Sequence, residues 1–248
     1  MTTRAIAVST YNRASQIGEL LEGILTTMPP DTDVFVCDDG STDGTINEVL
    51  EFPNVQLYSA TNMGVGVNKT RCLYFLKNYH FSCLLEDDLV PIEPHWFETY
   101  ETASKLMDVH HFCRVQGKEI PETMPSFTEY MKSTMNATPI YSASPRGDLT
   151  FITRRVITQV GGLNPLFQGV GYAHGEWSAR VAKAGLISHP LHWIDIAEAR
   201  NKFKQVGDTE GGRWEDDPIE IKKQMQYNKR VLRNLNTQDY IHSPLRIV

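Results

Sequence analysis

Little in this sequence announces a class by itself. No apolar run approaches the roughly 20 residues that a membrane-spanning helix needs. Met1-Thr2-Thr3-Arg4 leads straight into a strand-like run, without the apolar segment of a signal peptide. A cytoplasmic protein without a transmembrane segment is therefore expected. Cysteine is scarce: Cys37, Cys72, Cys83 and Cys113 form no C-x-x-C pair and give no metal-ligand spacing. Cys37 and Cys83 fall in apolar runs, where a free thiol packs as a small core residue, and a reducing compartment fits. Positive charge is not in excess. The formal net charge is −6, which disfavours generic attraction to nucleic acid, although a local basic patch would still permit it. Lys222, Lys223, Lys229, Arg230 and Arg233 read as the solvated face of a helix. The P-loop is absent, and no G-x-G-x-x-G follows the first strand-like run.

What is present is ordinary globular composition, 41% hydrophobic and 22% charged over 248 residues, enough for one large domain or a domain with an appendage. Ala5-Ile6-Ala7-Val8 reads as a buried strand that stops at Ser9-Thr10-Tyr11-Asn12-Arg13. Ile17, Leu20, Leu21, Ile24, Leu25 and Met28 then repeat at helical spacing, with Ser15 as the expected N-cap and Pro29-Pro30 as the stop. Further strands are expected at Val34–Cys37, Val55–Tyr58 and Phe81–Leu85, separated by helices over 45–50 and after Gly64 to Leu76. This alternation predicts an α/β fold with a mainly parallel sheet flanked by helices. Ligands of such sheets bind beyond the carboxyl ends of the strands. Thr10 to Arg13, Asp38-Asp39 and Glu86-Asp87-Asp88 should therefore share one rim.

The second half is less regular. A helix is expected over 96–107, a loop-rich stretch over 117–147 and a strand over 149–152. A helix over 172–184 should end at Gly185. Residues 200–217, with Gly207, Gly211 and Gly212 among charges, read as a mobile surface segment, with 197–217 as a lid over a donor. Asp217-Pro218-Ile219-Glu220 has the form of a helix start, and the last helix should run to about Leu235. The expected division is 1–199 for a catalytic domain, with a nucleotide-binding half at 1–90 and an acceptor half at 91–199, followed by 200–248.

Three adjacent carboxylates, Glu86-Asp87-Asp88, repel one another unless something neutralises them. An exposed acidic turn is the bland reading. The alternative is a hard cation, since Mg2+ or Mn2+ typically takes one or two carboxylates plus phosphate and water oxygens. In an extended segment Glu86 and Asp88 point to one side and Asp87 to the other. Asp88 is then the expected metal contact, with Glu86 acting directly or through water or ribose. Asp38-Asp39-Gly40-Ser41-Thr42-Asp43-Gly44 has turn composition, yet two acids directly after a strand exceed what a turn needs. Such a carboxylate could accept from a base N–H or a ribose hydroxyl. The glycines of Asn62-Met63-Gly64-Val65-Gly66-Val67-Asn68-Lys69-Thr70-Arg71 permit close approach of a ligand or a strand. His110-His111 has no partner at ligand spacing, and Tyr172, Trp193 and Trp214 could stack on a sugar but are more simply core.

Together these segments resemble the inverting family 2 glycosyltransferases of the GT-A fold. Val8 to Arg13 is similar to the family's P-T-Y-N-R opening, with Ser9 in place of proline. Cys37 to Thr45 is similar to V-D-D-G-S-T-D-G-T, the most specific match. Asn62, Gly64, Asn68 and Arg71 fit N-x-G…N-x-x-R, and Glu86-Asp87-Asp88 stands where the family has D-x-D. Gly147 to Arg155 and Val160 to Asn164 resemble the later G…R-R…G-G-F-D-E stretch. The resemblance covers residues 4 to about 196. It implies a sugar transfer from a nucleotide sugar, UDP-linked by expectation, to the hydroxyl of a carbohydrate or other acceptor with inversion, using Mn2+ or Mg2+. It places Thr10 and Tyr11 at the base pocket with Asn12, Arg13, Asp38, Asn62, Gly64 and Asn68 around the nucleotide. Asp39 and Arg71 would meet the base or ribose, Glu86 and Asp87 would lie near the diphosphate, and Asp88 would hold the metal. The family's base is a carboxylate at the start of a late helix. His174-Gly175-Glu176-Trp177 is the nearest match, with Trp177 in place of the usual aspartate, so Glu176 is the expected base. A Glu176–Arg180 pair one turn apart is the structural alternative. His192 is the expected further metal ligand. A nucleotidyltransferase of related fold, or a non-catalytic nucleotide-sugar or carbohydrate-binding module, is the competing reading.

Overall fold

A computed structural model describes residues 3–112, 118–119, 125–142, 147–169, 171–187, 193–206 and 218–235. In its first part β1 (Arg4–Thr10), α1 (Ile17–Thr27), β2 (Thr32–Asp38), α2 (Thr45–Leu50), β3 (Val55–Ser59), α3 (Val65–Leu76) and β4 (Phe81–Glu86) alternate as the sequence predicts. Then follow β5 (Leu89–Pro91), α4 (Trp96–Ala103), β6 (Val109–His111), β7 (Lys118–Glu119), α5 (Pro125–Met135), β8 (Pro139–Ser142), β9 (Leu149–Thr153) and α6 (Arg154–Val160). The last elements are α7 (Ala173–Lys183), β10 (Trp193–Ile196), α8 (Ala197–Arg200), β11 (Phe203–Gln205) and α9 (Pro218–Asn234).

The main sheet has the order β3-β2-β1-β4-β9-β6. β3, β2, β1 and β4 run parallel, and β9 joins antiparallel to β4. Ala5 to Val8 of β1 are fully buried, because helices cover both faces of a central parallel strand. α1 buries Ile17, Leu20, Leu21 and Ile24, the spacing of one helical face. It also approaches β5 closely at Gly23, where a Cβ would fall 2.6 Å from the Pro91 carbonyl oxygen. β5 in turn pairs antiparallel with β11, and Val206 N donates to the Asp88 carbonyl at 3.0 Å.

Several boundaries differ from expectation. Gln16, not Ser15, precedes α1, and no side chain caps it; the Arg13 carbonyl accepts from Gln16 N and Ile17 N instead. α4 stops at Ala103 rather than 107, since the chain must turn to set β6 beside β9, and Asp108 fixes that turn by accepting from Thr153 and Arg155. The stretch 117–147 is not loop throughout: it contains α5, with few apolar residues but a fully buried Met131, and β8, which pairs with β10. Residues 200–206 are ordered as the end of α8 and β11, while 207–217, with Trp214 and the expected cap Asp217, lie outside the described residues. Lys222, Lys223, Lys229, Arg230 and Arg233 on α9 are exposed, as a solvated face requires.

A second core layer packs α4 on the sheet, with Phe97 and Tyr100 against Phe151 at ring separations of 4.8 and 5.5 Å. His110 is fully buried beside Tyr100, and burial pushes its pKa down to about 4. In the unfolded chain it titrates near 6.5. The unfolded chain therefore binds a proton between these values that the folded chain refuses. Stability is full above the unfolded value and is lost as pH falls through the window. Urea unfolding at pH 7.5 and pH 5 checks this: His110→Phe should shrink the loss between them by about 2 kcal/mol.

Candidate functional site

Between β3 and β4 the chain crosses back over β2 and β1, so the direction of winding reverses between β1 and β4. The crevice at their carboxyl ends is where such sheets take ligands. Three loops meet there. Asp39 N donates to the Thr10 carbonyl at 3.0 Å. Asn12, at φ 51°, accepts from Thr42 N at 2.8 Å and donates its own N–H to Ser41 Oγ at 2.8 Å. Arg13 N donates to Thr45 Oγ1 at 2.7 Å. The loops after β1 and β2 are thus one unit, with Tyr11 half-buried and Asn12 exposed on its surface, and Asn62 is exposed in the loop after β3. Thr10 Oγ1 is buried beneath it without a protein partner.

Two acids expected at the nucleotide serve mainly as scaffolding. Asp38 is fully buried and accepts from Gly40 N, Ser41 N and Ser59 Oγ, so it shapes the turn rather than facing a ligand. Asp39 accepts from Met63 N and Gly64 N at 2.9 and 2.8 Å and from the Arg71 guanidinium at 2.8 Å. Gly64 adopts φ 88°, a conformation that glycine takes without strain. Arg71, fully buried, also donates to the Thr61 carbonyl and so braces this turn from below. Asn68 is equally turned inward: its amide donates to Ser9 Oγ and the Cys37 carbonyl, stitching α3 to β1 and β2. Asp38, Asn68 and Arg71, expected around the nucleotide, thus make these bonds within the protein itself.

The acidic run divides by side. Asp87, 2% exposed, accepts from Arg13 Nε at 3.1 Å and from Tyr11 N at 3.3 Å, which ties β4 to the loop after β1. Glu86 and Asp88 face the other way and meet Asp148, and one oxygen of each lies within 4.8 Å of the others. Converging carboxylate oxygens are the donor set a hard divalent cation takes. Asp148 arrives through the β4–β9 pairing, where Glu86 N donates to the Asp148 carbonyl at 2.8 Å. Lys69, 3% exposed, forms an ion pair with Glu86 and donates to the Gly147 carbonyl at 2.9 Å. Neither Asp148 nor Lys69 is singled out by the sequence. The only signal is that Asp148 precedes one apolar strand as Glu86 ends another.

Glu176, the expected base, is paired within its own helix. It is 1% exposed, and both its oxygens accept from Arg180, at 2.7 and 3.0 Å. Arg180 also donates to the Val160 and Gly162 carbonyls, so the pair locks the turn at Gly161-Gly162. Trp177 is buried and donates Nε1–H to the Gly161 carbonyl at 3.0 Å. Tyr172 is half-buried against the core. His189 and His192 lie outside the described residues. His111 does have a partner: His174 Nε2 sits 3.2 Å from its Nδ1, the rings at 89°. Burial, reinforced by the Lys69 charge, lowers the His174 pKa to about 3.

The family described as Glycosyl transferase family 2 matches residues 5–156. Chondroitin synthase of Pasteurella multocida (strain Pm70) is 30% identical over 88 residues, 34% of this chain and 9% of that protein. Hyaluronan synthase of Pasteurella multocida matches to the same extent, so the chain spans about 9% of the length of these curated relatives. Mannosyltransferase PcManGT from Pyrobaculum calidifontis, solved in complex with GDP-Man and Mn2+, has 19% identity and a TM-score of 0.50, over 75% of this chain and 53% of that one. S. aureus TarS 1-349, solved in complex with UDP, has 16% identity and a TM-score of 0.53, over 94% of this chain and 66% of that one. At these identities the likeness to both structures is one of fold.

Removing one member of a buried ion pair strands the other charge. Glu176→Ala should therefore cost about 3–5 kcal/mol of unfolding free energy, measured in urea. A loss below about 1 kcal/mol would contradict the buried pairing.

Proposed function

As the chain belongs to glycosyl transferase family 2, we propose that it moves a sugar from a nucleotide sugar, UDP-linked in our reading, to an acceptor hydroxyl, with inversion and with Mn2+ or Mg2+ as cofactor. The observation that carries the metal part is the convergence of Glu86, Asp88 and Asp148 at the carboxyl end of β4. Three carboxylates bring three negative charges and Lys69 brings one positive, so a divalent ion balances the group. Asp88, with Asp148 and Glu86, is proposed to hold the ion. When bound, the ion would offset the charge that develops on the leaving diphosphate. Lys69 stands ready to share that task.

The nucleoside is proposed to rest on the unit formed by the loops after β1 and β2, over Tyr11, Asn12 and Asn62, with Thr10 and Asp39 beneath. Residues 1–90 then form the nucleotide-binding half and 91–199 the acceptor half. The structures of PcManGT with GDP-Man and Mn2+ and of TarS with UDP support a nucleotide ligand in a fold of this kind. An inverting transfer is a single displacement, so no nucleophilic side chain of the protein is needed. We place the reaction in the cytoplasm, where nucleotide-activated sugars are a reasonable substrate pool for a chain without a candidate membrane-spanning helix among its described residues.

Calorimetric titration of UDP with Mn2+ and with EDTA tests the site. The wild type should bind at least about tenfold more tightly with the metal, and Asp88→Asn and Asp148→Asn should each abolish that gain. Binding that ignores Mn2+, or that survives Asp88→Asn unchanged, overturns the metal assignment. Thermal shifts with UDP, GDP, CDP and TDP then select the base, the cognate nucleotide giving the largest rise.

A further inference from the structure

With both oxygens of Glu176 bonded to Arg180, a second group is worth seeking for deprotonation of the acceptor. The polar atoms around Gly147 supply one. A Cβ built on Gly147 would lie 3.3 Å from Glu86 Oε1 and 3.6 Å from His174 Nδ1, and in hard contact with Lys69 Nζ. Because residue 147 has no side chain, the Lys69 ammonium can stand at this point, between the acidic cluster and the imidazole. His174 lies in the first turn of α7, and its Nδ1 is buried there without a hydrogen-bond partner. Its other nitrogen, Nε2, meets His111 Nδ1 at 3.2 Å.

One proton lies in that contact between two neutral rings, and its position decides the chemistry. A hydrogen on His174 Nε2 makes a bond to His111 Nδ1 and leaves a lone pair on His174 Nδ1. The Lys69 ammonium, which acts on this ring, favours a lone pair facing it over an N–H. This is the arrangement of a base held by an orienting partner: one ring nitrogen fixed, the other bare on the side of Lys69 and Glu86.

We propose that His174 Nδ1 is the general base of the transfer and that His111 is its positioning residue. The inference rests on the glycosyltransferase reading above. In the step, His174 Nδ1 takes the proton of the acceptor hydroxyl. The freed oxygen electron pair forms the new bond to the anomeric carbon. The bond from that carbon to the diphosphate oxygen breaks on the opposite side, and its electron pair leaves with the nucleoside diphosphate. The imidazolium then returns its proton to water. Glu176 and Trp177 take no part; they hold the start of α7, and so His174, in place.

Two measurements test this. The first is the imidazole 15N spectrum of the unliganded wild type, which reports the tautomer without requiring turnover. The second is hydrolysis of a panel of UDP-linked and GDP-linked sugars with Mn2+, water standing in for the acceptor, by wild type and His174→Gln, alongside calorimetry of nucleotide binding. The expected result is an Nε2–H tautomer at His174 and a fall in kcat of about 10²–10⁴-fold in His174→Gln, with metal-dependent nucleotide affinity changed less than about threefold. An Nδ1–H tautomer overturns the base, whether or not the variant folds. So does a His174→Gln rate within about threefold of wild type, and either result leaves the glycosyltransferase reading standing if nucleotide binding still requires metal. A wild type with no metal-dependent nucleotide binding and no turnover of any donor overturns both.

Discussion

The backbone hydrogen bond from Glu86 N to the Asp148 carbonyl closes the carboxyl end of the β4–β9 ladder. Without it the acidic run at 86–88 is only the end of a strand. With it, a carboxylate from a strand that runs the other way is brought to the same point. Antiparallel entry matters here: β9 begins where β4 ends, so its first residues, not its last, fall at the rim. Gly147 comes with Asp148, and its missing side chain lets Lys69, Glu86 and His174 come together there.

Around this point the protein assigns its charged residues in matched pairs. Asp87 has Arg13, Asp39 has Arg71, and Glu176 has Arg180. The first two join separate segments, β4 to the loop after β1 and α3 to the loop after β2, while the third lies within α7 and sets Arg180 to bond the carbonyls of the turn at Gly161-Gly162. Arginine suits this work because its planar fork reaches a carboxylate and backbone carbonyls together, as Arg180 does. The conformations that would otherwise be loose are thereby set before any ligand arrives, which is what a site acting by electrostatics requires.

The first half of this arrangement was legible in the sequence, and for a physical reason. Each strand there is a short apolar run and each helix a periodic one, so β1 to β4 and the rim after them follow from pattern alone. The alternation of side chains even separates Asp87 from Glu86 and Asp88. Pattern could not say which acids on the rim face a ligand. Asp38 and Asn68 match a binding motif, yet spend their atoms on Ser59, Ser9 and backbone groups that only the folded chain brings near. Glu176 shows the converse: its spacing to Arg180 was readable as a helical pair, and that plain reading is the one the structure has. Asp148 and the His111–His174 contact were not legible, because strand order and a meeting across |i−j|=63 depend on tertiary packing. α5 was missed although Phe127, Met131 and Met135 recur at helical spacing, because the Pro, Ser and Thr around it read as loop.

Val206 N donates to the Asp88 carbonyl, and β11 before it is zipped to β5 after Asp88. A residue at the heart of the acidic cluster is therefore held at its backbone by a segment far downstream in the chain. A change in β11 or at Val206 therefore acts on the angle at which Asp88 meets the crevice. Variation in those few residues is not remote from the chemistry, however distant it looks along the sequence.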